Sequence, residues 1–194
     1  MHDGCDGNKI LTWSLDSFDL ENPEGSGIYL ADIAKALGNL CRFTGQCDFY
    51  SVAEHSVHCC RIALSNHPGN WELAFAALMH DAAEAYTGDI SKPLKKMIEP
   101  IFGPIEKRIE DAVRARFKID NRYDHQVKII DMGMLKAEKR HLFPKSPLAE
   151  NLDEYPDYAV QFGMLPPKKA SLLFLDMYVD VCSKLTITKE RDND

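Results

Sequence analysis

The stretch WELAFAALMHDAAEAYTGD, residues 71–89, decides how the whole chain is read. From Trp71 to Met79 only Glu72 is polar, so the segment reads as a helix that is apolar nearly all round, central and buried. Asn70 stands ahead of it as an N-cap. Gly88 falls where a helix end favours a residue that tolerates positive φ. The helix predicted over 71 to about 86 therefore ends in His80, Asp81 and Glu84, with Asp89 close behind. His80 and Glu84 are spaced i, i+4 and Asp81 and Glu84 i, i+3, so both pairs share a helical face. Burying such groups together is costly unless something neutralises them, and a divalent cation would do so.

Working outward, the same helical periodicity recurs. Leu30, Ile33, Leu37 and Leu40 predict a helix over 29–40, with Gly38 its weak point. Ser51 and Glu54 form an S-x-x-E capping box that opens a helix from Val52 to about Ser65, with His55 in its first turn. Ile101, Ile105, Ile109, Val113 and Phe117 mark an amphipathic helix, and Val127, Ile130 and Met134 another over about 124–140. Pro144, Pro147, Pro156, Pro166 and Pro167 punctuate a loop-rich tract before a last helix over about 168–184. Residues 1–27 read as a loop-rich lead-in with a strand near Ile10–Trp13, residues 28–185 as one domain, and residues 186–194 as a polar tail. The expectation is an all-α, single-domain helical bundle.

Composition narrows the function classes. The chain has 194 residues, enough for one domain with a sizeable core. Its formal net charge of −7 argues against a nucleic-acid binder, because phosphate contacts need clustered Lys and Arg. A small anionic substrate held by a few basic residues or a metal stays compatible with that charge. The apolar runs fall short of membrane-spanning length, and MHDGCDGNKI lacks the features of a signal peptide. The six cysteines form no CxxC pair, which favours reduced thiols in a cytoplasmic setting over a zinc ribbon.

Two more residues join the cluster. With Val127 set at 0° and about 100° per residue, Ile130 falls at about −60°, Met134 at about −20° and Asp131 at about +40°. Asp131 thus points with the apolar face, where a lone carboxylate wants a partner. His55 opens a different helix. Two imidazoles and two carboxylates from three helices suit Zn, Mn, Fe, Co or Ni better than Mg. Each residue alone also has a plain structural reading: a helix-terminal His–Asp pair caps or bonds in the core, His55 sits on the surface, and Asp131 pairs with Lys128 or Lys136. The joint pattern H…HD…D is what favours a metal.

That pattern resembles the HD-domain metal-dependent phosphohydrolases, over roughly residues 28–140. The stretches LADIAKALGNLCRF, FYSVAEHSV and LMHDAAEAYTGDISKPLK are similar to the branch that holds bacterial 5′-deoxynucleotidases and small phage dATP triphosphohydrolases. In that branch E-H-S carries the first ligand and H-D-x-x-E-x-x-x-G-D the next two; both stand here, as Glu54-His55-Ser56 and His80 to Asp89. The resemblance implies an HD-domain fold and a metal held by His55, His80, Asp81 and Asp131. It implies that Glu84 activates or orients the attacking water and that Asp89 acts beside it. Arg42 would meet phosphate, Phe43 the base or sugar, and Lys92 and Lys95 further phosphates. The implied cofactor is one divalent transition metal such as Co, Zn or Mn, with Mg on the phosphates as an addition. The implied substrate is a small deoxynucleotide, the implied assembly a homo-oligomer (dimer or hexamer), and the setting the cytoplasm, that of a host cell for a phage-encoded enzyme.

Two substrate readings stay open: dATP or another dNTP cleaved to deoxynucleoside and triphosphate, or a dNMP releasing orthophosphate. Two remoter ones are a di-iron oxygenase, for which only His58 offers an extra ligand, and an inactive nucleotide-binding module.

Overall fold

The computed structural model describes residues 7–146 and 152–191. Helix dominates them: α1 (Leu30–Asn39), α2 (Val52–Asn66), α3 (Trp71–Met79), the single turn α4 (Glu84–Thr87), α5 (Lys92–Phe117), α6 (Asp124–Leu142) and α7 (Pro167–Arg191). The one sheet among these residues is a hairpin in which β1 (Lys9–Leu11) runs antiparallel to β2 (Ser17–Asp19), Ile10 opposite Phe18. The all-α, single-domain class expected from periodicity is the class the chain adopts. No helix among the described residues is long and apolar enough to cross a membrane.

Helix α2 is the axis of the molecule. Its residues Val52 to Cys60 are buried without a break, and α1, α3, α6 and α7 all pack against it. It starts where the capping box predicts: the Ser51 hydroxyl accepts from the Glu54 amide at 3.1 Å. The Asn70 side chain opens α3 in the same way, accepting from the Leu73 amide at 3.0 Å. Leu73, Leu78 and Met79 then go fully into the core. Each such side chain stabilises the fold by about 1.5–3 kcal/mol relative to exposure.

Gly38, which weakens α1 on propensity, is where α1 and α7 cross most closely. A Cβ there would lie 2.0 Å from Ser171 Oγ and 2.8 Å from the Pro167 carbonyl oxygen. The end of the loop before α7 is held from α2. Glu54 Oε1 accepts from the amides of Gly163 (2.6 Å) and Met164 (3.0 Å), and Oε2 from that of Leu165 (2.8 Å).

Four elements differ from the sequence expectation. The helix over 71–86 is not continuous: α3 stops at Met79, and residues 79–86 tighten into i→i+3 turns, with Ala82 donating to Met79, Glu84 to Asp81, Ala85 to Ala82 and Tyr86 to Ala83. The cause is local, because His80 Nδ1 lies 2.8 Å from the Ala77 carbonyl, the acceptor that regular helix would offer to the Asp81 amide. Helix α5 begins at Lys92 and runs through Pro100 and Pro104. Those prolines leave the carbonyls of Lys96 and Pro100 without donors, but no residue before Ile109 in α5 is buried, so water reaches them. Helix α7 continues to Arg191, so the tail expected from 186 is helical that far; residues 192–194 lie outside the described residues. The expected strand near residues 10–13 is β1, which starts one residue and ends two residues earlier, and it is paired.

Candidate metal centre

Three elements deliver the donors. His55 comes from the first turn of α2, His80 and Asp81 from the tightened turns after α3, and Asp131 from the middle of α6. His55 Nε2 lies 3.3 Å from His80 Nε2, 3.6 Å from Asp81 Oδ2 and 3.5 Å from Asp131 Oδ1. His80 Nε2 lies 3.2 Å from Asp81 Oδ2 and 3.9 Å from Asp131 Oδ1. Metal–ligand bonds of about 2.0–2.2 Å put adjacent donors about 2.9–3.5 Å apart and opposed donors about 4.2 Å apart. The five spacings fall in or within a few tenths of an ångström of these ranges, so the donor set fits one first-row divalent ion.

Both imidazoles are turned to present Nε2. His55 Nδ1 lies 2.6 Å from Glu138 Oε1 and His80 Nδ1 2.8 Å from the Ala77 carbonyl. A carboxylate and a carbonyl only accept, so Nδ1 carries the proton in each ring and the Nε2 lone pair faces the cluster. Asp131 splits its oxygens: Oδ1 faces His55, while Oδ2 accepts from Lys128 at 2.7 Å.

The cluster demands positive charge. Burial opposes ionisation of Asp81, but the adjacent His80 outweighs it and holds the carboxyl well below its usual range. Burial likewise opposes the Asp131 charge, and the bond to His55 overrides it. Burial and Arg42 disfavour protonation of His55, yet Cys59, Glu138 and Asp131 together raise its pKa well above the ordinary value. A proton or a cation satisfies the same surplus of negative charge.

Around the donors stand the other expected residues. Burial, then the charges of Asp81 and Asp89, push Glu84 well above the carboxylate range. Its Oε2 is buried with no hydrogen-bond partner. Asp89 is raised as well, by burial first, against the pull of Arg42. Arg42 is not free: Nε and Nη2 donate to Glu138 Oε2 at 3.2 and 3.0 Å, and Nη1 lies 3.6 Å from Asp81 Oδ2. Phe43 lies under Arg42, 5.7 Å from ring centroid to guanidinium, and meets Phe143 edge-on at 5.1 Å. Phe43 and Thr44 both adopt positive φ (55° and 53°), strain of the kind that persists where neighbours enforce it.

Lys95 is half-buried and pairs with Glu106 at 2.5 Å, so it does not reach into open solvent. It still bears on the centre, since its charge pulls against the raised pKa of both Glu84 and Asp89. Lys92 is exposed and not among the cluster. It lines a cavity of about 410 Å³ with Pro93, Lys96, Met132, Glu154 and Tyr155.

Two residues escaped the sequence reading. Cys59 places Sγ 3.5 Å from His55 Nε2, and His55, Cys59 and His80 form a second donor set within 4.8 Å. The signal was present, since Cys59 follows His55 by four on α2. Burial raises the Cys59 thiol pKa and disfavours its thiolate, so Asp81 and Asp131 are the stronger partners for the two rings. Glu138 was also missed. On the phase that singled out Asp131 it falls at about +20°, deeper in the apolar face.

No protein-family model matches the chain. It is 38% identical over 134 residues to the uncharacterized protein YfdR of Escherichia coli K12, covering 69% of this chain and 71% of YfdR. The chain belongs to the YfdR family. A second member-like relative, an uncharacterized protein of Rhodobacter capsulatus, is 38% identical over 105 residues, 51% of this chain and 53% of its own length. The names of these relatives carry no activity, and the chemistry of this YfdR-family chain lies in its own residues.

Proposed function

We propose that this protein is a divalent-metal-dependent phosphohydrolase of the HD-domain type acting on deoxynucleotides, and that it cleaves dATP or another dNTP to deoxynucleoside and triphosphate. The observation that carries the reading is the spacing of the donor atoms: two Nε2 lone pairs and two carboxylate oxygens converge at 3.2–3.9 Å. His55, His80, Asp81 and Asp131 would hold the ion. A divalent ion held there supplies Lewis acidity toward phosphoryl oxygen and acidifies water.

The chain's own residues divide the remaining work. Glu84 takes the proton of the attacking water: a cation held by Asp81 would offset the charge that raises the Glu84 carboxyl and favour its ionised, proton-accepting form. The water oxygen bonds to the α phosphorus as the P–O5′ bond breaks. The alkoxide needs a proton to leave, and we assign that role to Asp89, whose burial favours the protonated carboxyl. Arg42 offsets phosphoryl charge through Nη1, and the Phe43 ring offers an apolar face for the base or sugar. Lys92 and Lys96 stand on the wall of the 410 Å³ cavity, which none of the four donors lines. The engagement of Lys95 by Glu106 favours the second reading, a 5′-deoxynucleotidase acting on dNMPs, because it withdraws one cation from long phosphate chains.

The assay uses chelator-stripped protein reconstituted with Co²⁺, Mn²⁺ or Zn²⁺ and offered the four dNTPs and four dNMPs, with products resolved by ion exchange. Intact triphosphate is the expected product. Orthophosphate from dNMPs supports the second reading, and no turnover with any metal overturns both.

Self-association belongs to the same proposal. On α5, Pro93, Met97, Pro100, Ile101 and Pro104 are exposed along one stripe. Met97 and Ile101 are 80% and 76% exposed, far more than singly scattered apolar residues require. The first turn of α5 carries lysines and no acid, against its dipole, while Glu99, Glu106 and Glu110 follow. An antiparallel second copy would cover the stripe and set acidic turns against basic ones. A reduced, cytoplasmic setting suits the free thiols of Cys41, Cys47, Cys59, Cys60 and Cys182.

A further inference from the structure

Glu138 is wholly buried, seven residues after Asp131 on the same face of α6. A carboxylate so placed needs full compensation, and it has it. Oε1 takes His55 Nδ1 at 2.6 Å, and Oε2 takes two donors of Arg42 at 3.2 and 3.0 Å. One side chain therefore grips a candidate metal ligand with one oxygen and the candidate phosphate-binding arginine with the other.

We propose that Glu138 is the positioning residue of the centre, fixing the His55 ring so that Nε2 faces the ion and fixing Arg42 beside Asp81 so that Nη1 faces substrate. The inference rests on the metal-dependent reading above. Both bonds run across the core, 83 residues to His55 and 96 to Arg42, so they couple the start of α2 and the loop before it to α6. An acceptor on Nδ1 also makes the opposite nitrogen a better ligand, which is how carboxylates behind metal-bound histidines commonly act. A role in fold stability alone would leave the affinity of the folded protein for metal unchanged.

The test compares wild-type protein with Glu138→Gln, titrating each with Co²⁺ alone and following the cobalt visible spectrum against a chelating dye, with circular dichroism to verify the fold. Glu138→Gln keeps the volume but loses the charge and one acceptor for Arg42. The expected result is Co²⁺ binding weakened by roughly 10–100-fold at unchanged helicity, with a shifted cobalt spectrum. Equal affinity in wild type and variant overturns the proposal. Absence of Co²⁺ binding by the wild type overturns the metal reading itself. For the case in which the variant does not fold, ¹⁵N-histidine spectra of Zn²⁺-loaded wild type decide. Zn²⁺ on His55 Nε2 with a protonated Nδ1 is expected, and Zn²⁺ on Nδ1 overturns the proposal.

Discussion

His55, in the first turn of α2, and His80, just after α3, bring their Nε2 atoms within 3.3 Å of each other. Two lone pairs face to face repel unless a proton or a cation lies between them. The arrangement is therefore one that a bound ion stabilises, and the fold should respond to metal. At free metal about a thousandfold above Kd, binding to the native state alone adds about 4 kcal/mol. For a chain of this size that raises the Tm by roughly 8–16 °C. Thermal melts with and without Zn²⁺ or Co²⁺ read this directly, and His80→Ala should abolish the shift.

Glu84 sits with a buried, unpartnered oxygen beside two other carboxylates. Replacing it by Gln keeps the shape and supplies a neutral group, the form that burial and the neighbouring carboxylates already favour there. The expected outcome is a Tm that does not fall, full metal content, and turnover lower by roughly 10²–10⁴. Wild-type turnover at full metal loading would remove Glu84 from the mechanism.

Arg42 compensates the buried charge of Glu138. Arg42→Ala strands that charge and should cost roughly 3–5 kcal/mol in urea unfolding. Adding Glu138→Leu removes the stranded carboxylate, so the double variant should be more stable than Arg42→Ala alone. Simple additivity of the two losses would deny the coupling.

Gly38→Ala places a methyl 2.0 Å from Ser171 Oγ and 2.8 Å from the Pro167 carbonyl. Overpacking at that crossing should cost roughly 1–3 kcal/mol despite the better helix propensity of alanine. Ser171→Ala in the same chain relieves only the hydroxyl part, because the carbonyl is backbone. Denaturant midpoints of the three variants test the order.

The stripe on α5 predicts its own disruption. Met97→Lys with Ile101→Lys should lower the mass seen in sedimentation velocity to that of one chain, with helicity retained. An unchanged mass would place any self-contact elsewhere.

What was legible in the sequence was whatever is decided within a turn or two of chain. The starts of α2 and α3 are fixed by Ser51 and Asn70 each reaching three residues ahead, so both were readable. The break after Met79 was not, because it depends on the His80 ring taking up the Ala77 carbonyl. Pro100 and Pro104 signal a helix stop, yet α5 passes through them on a face that water solvates. At the centre, helical phase singled out Asp131, and the structure brings it 3.5 Å from His55. Glu138 shares that phase, but its partners lie 83 and 96 residues away, and no local pattern announces a grip of that span. The state of Lys95 was hidden for a similar reason: its partner Glu106 is three helical turns on, beyond side-chain neighbour rules.

The three amides that Glu54 gathers from Gly163, Met164 and Leu165 stand 109 to 111 residues downstream of it. Glu54 is also the chain neighbour of His55. A growing polypeptide on the ribosome thus carries the first imidazole long before the clasp behind it can close, and such distant closures come late and slowly. The hold of Glu54 on the loop before α7 forms only after residue 165 has emerged, so a translation product cut short of it retains the four donors and Glu138 but leaves the Glu54 carboxylate without the amides it gathers.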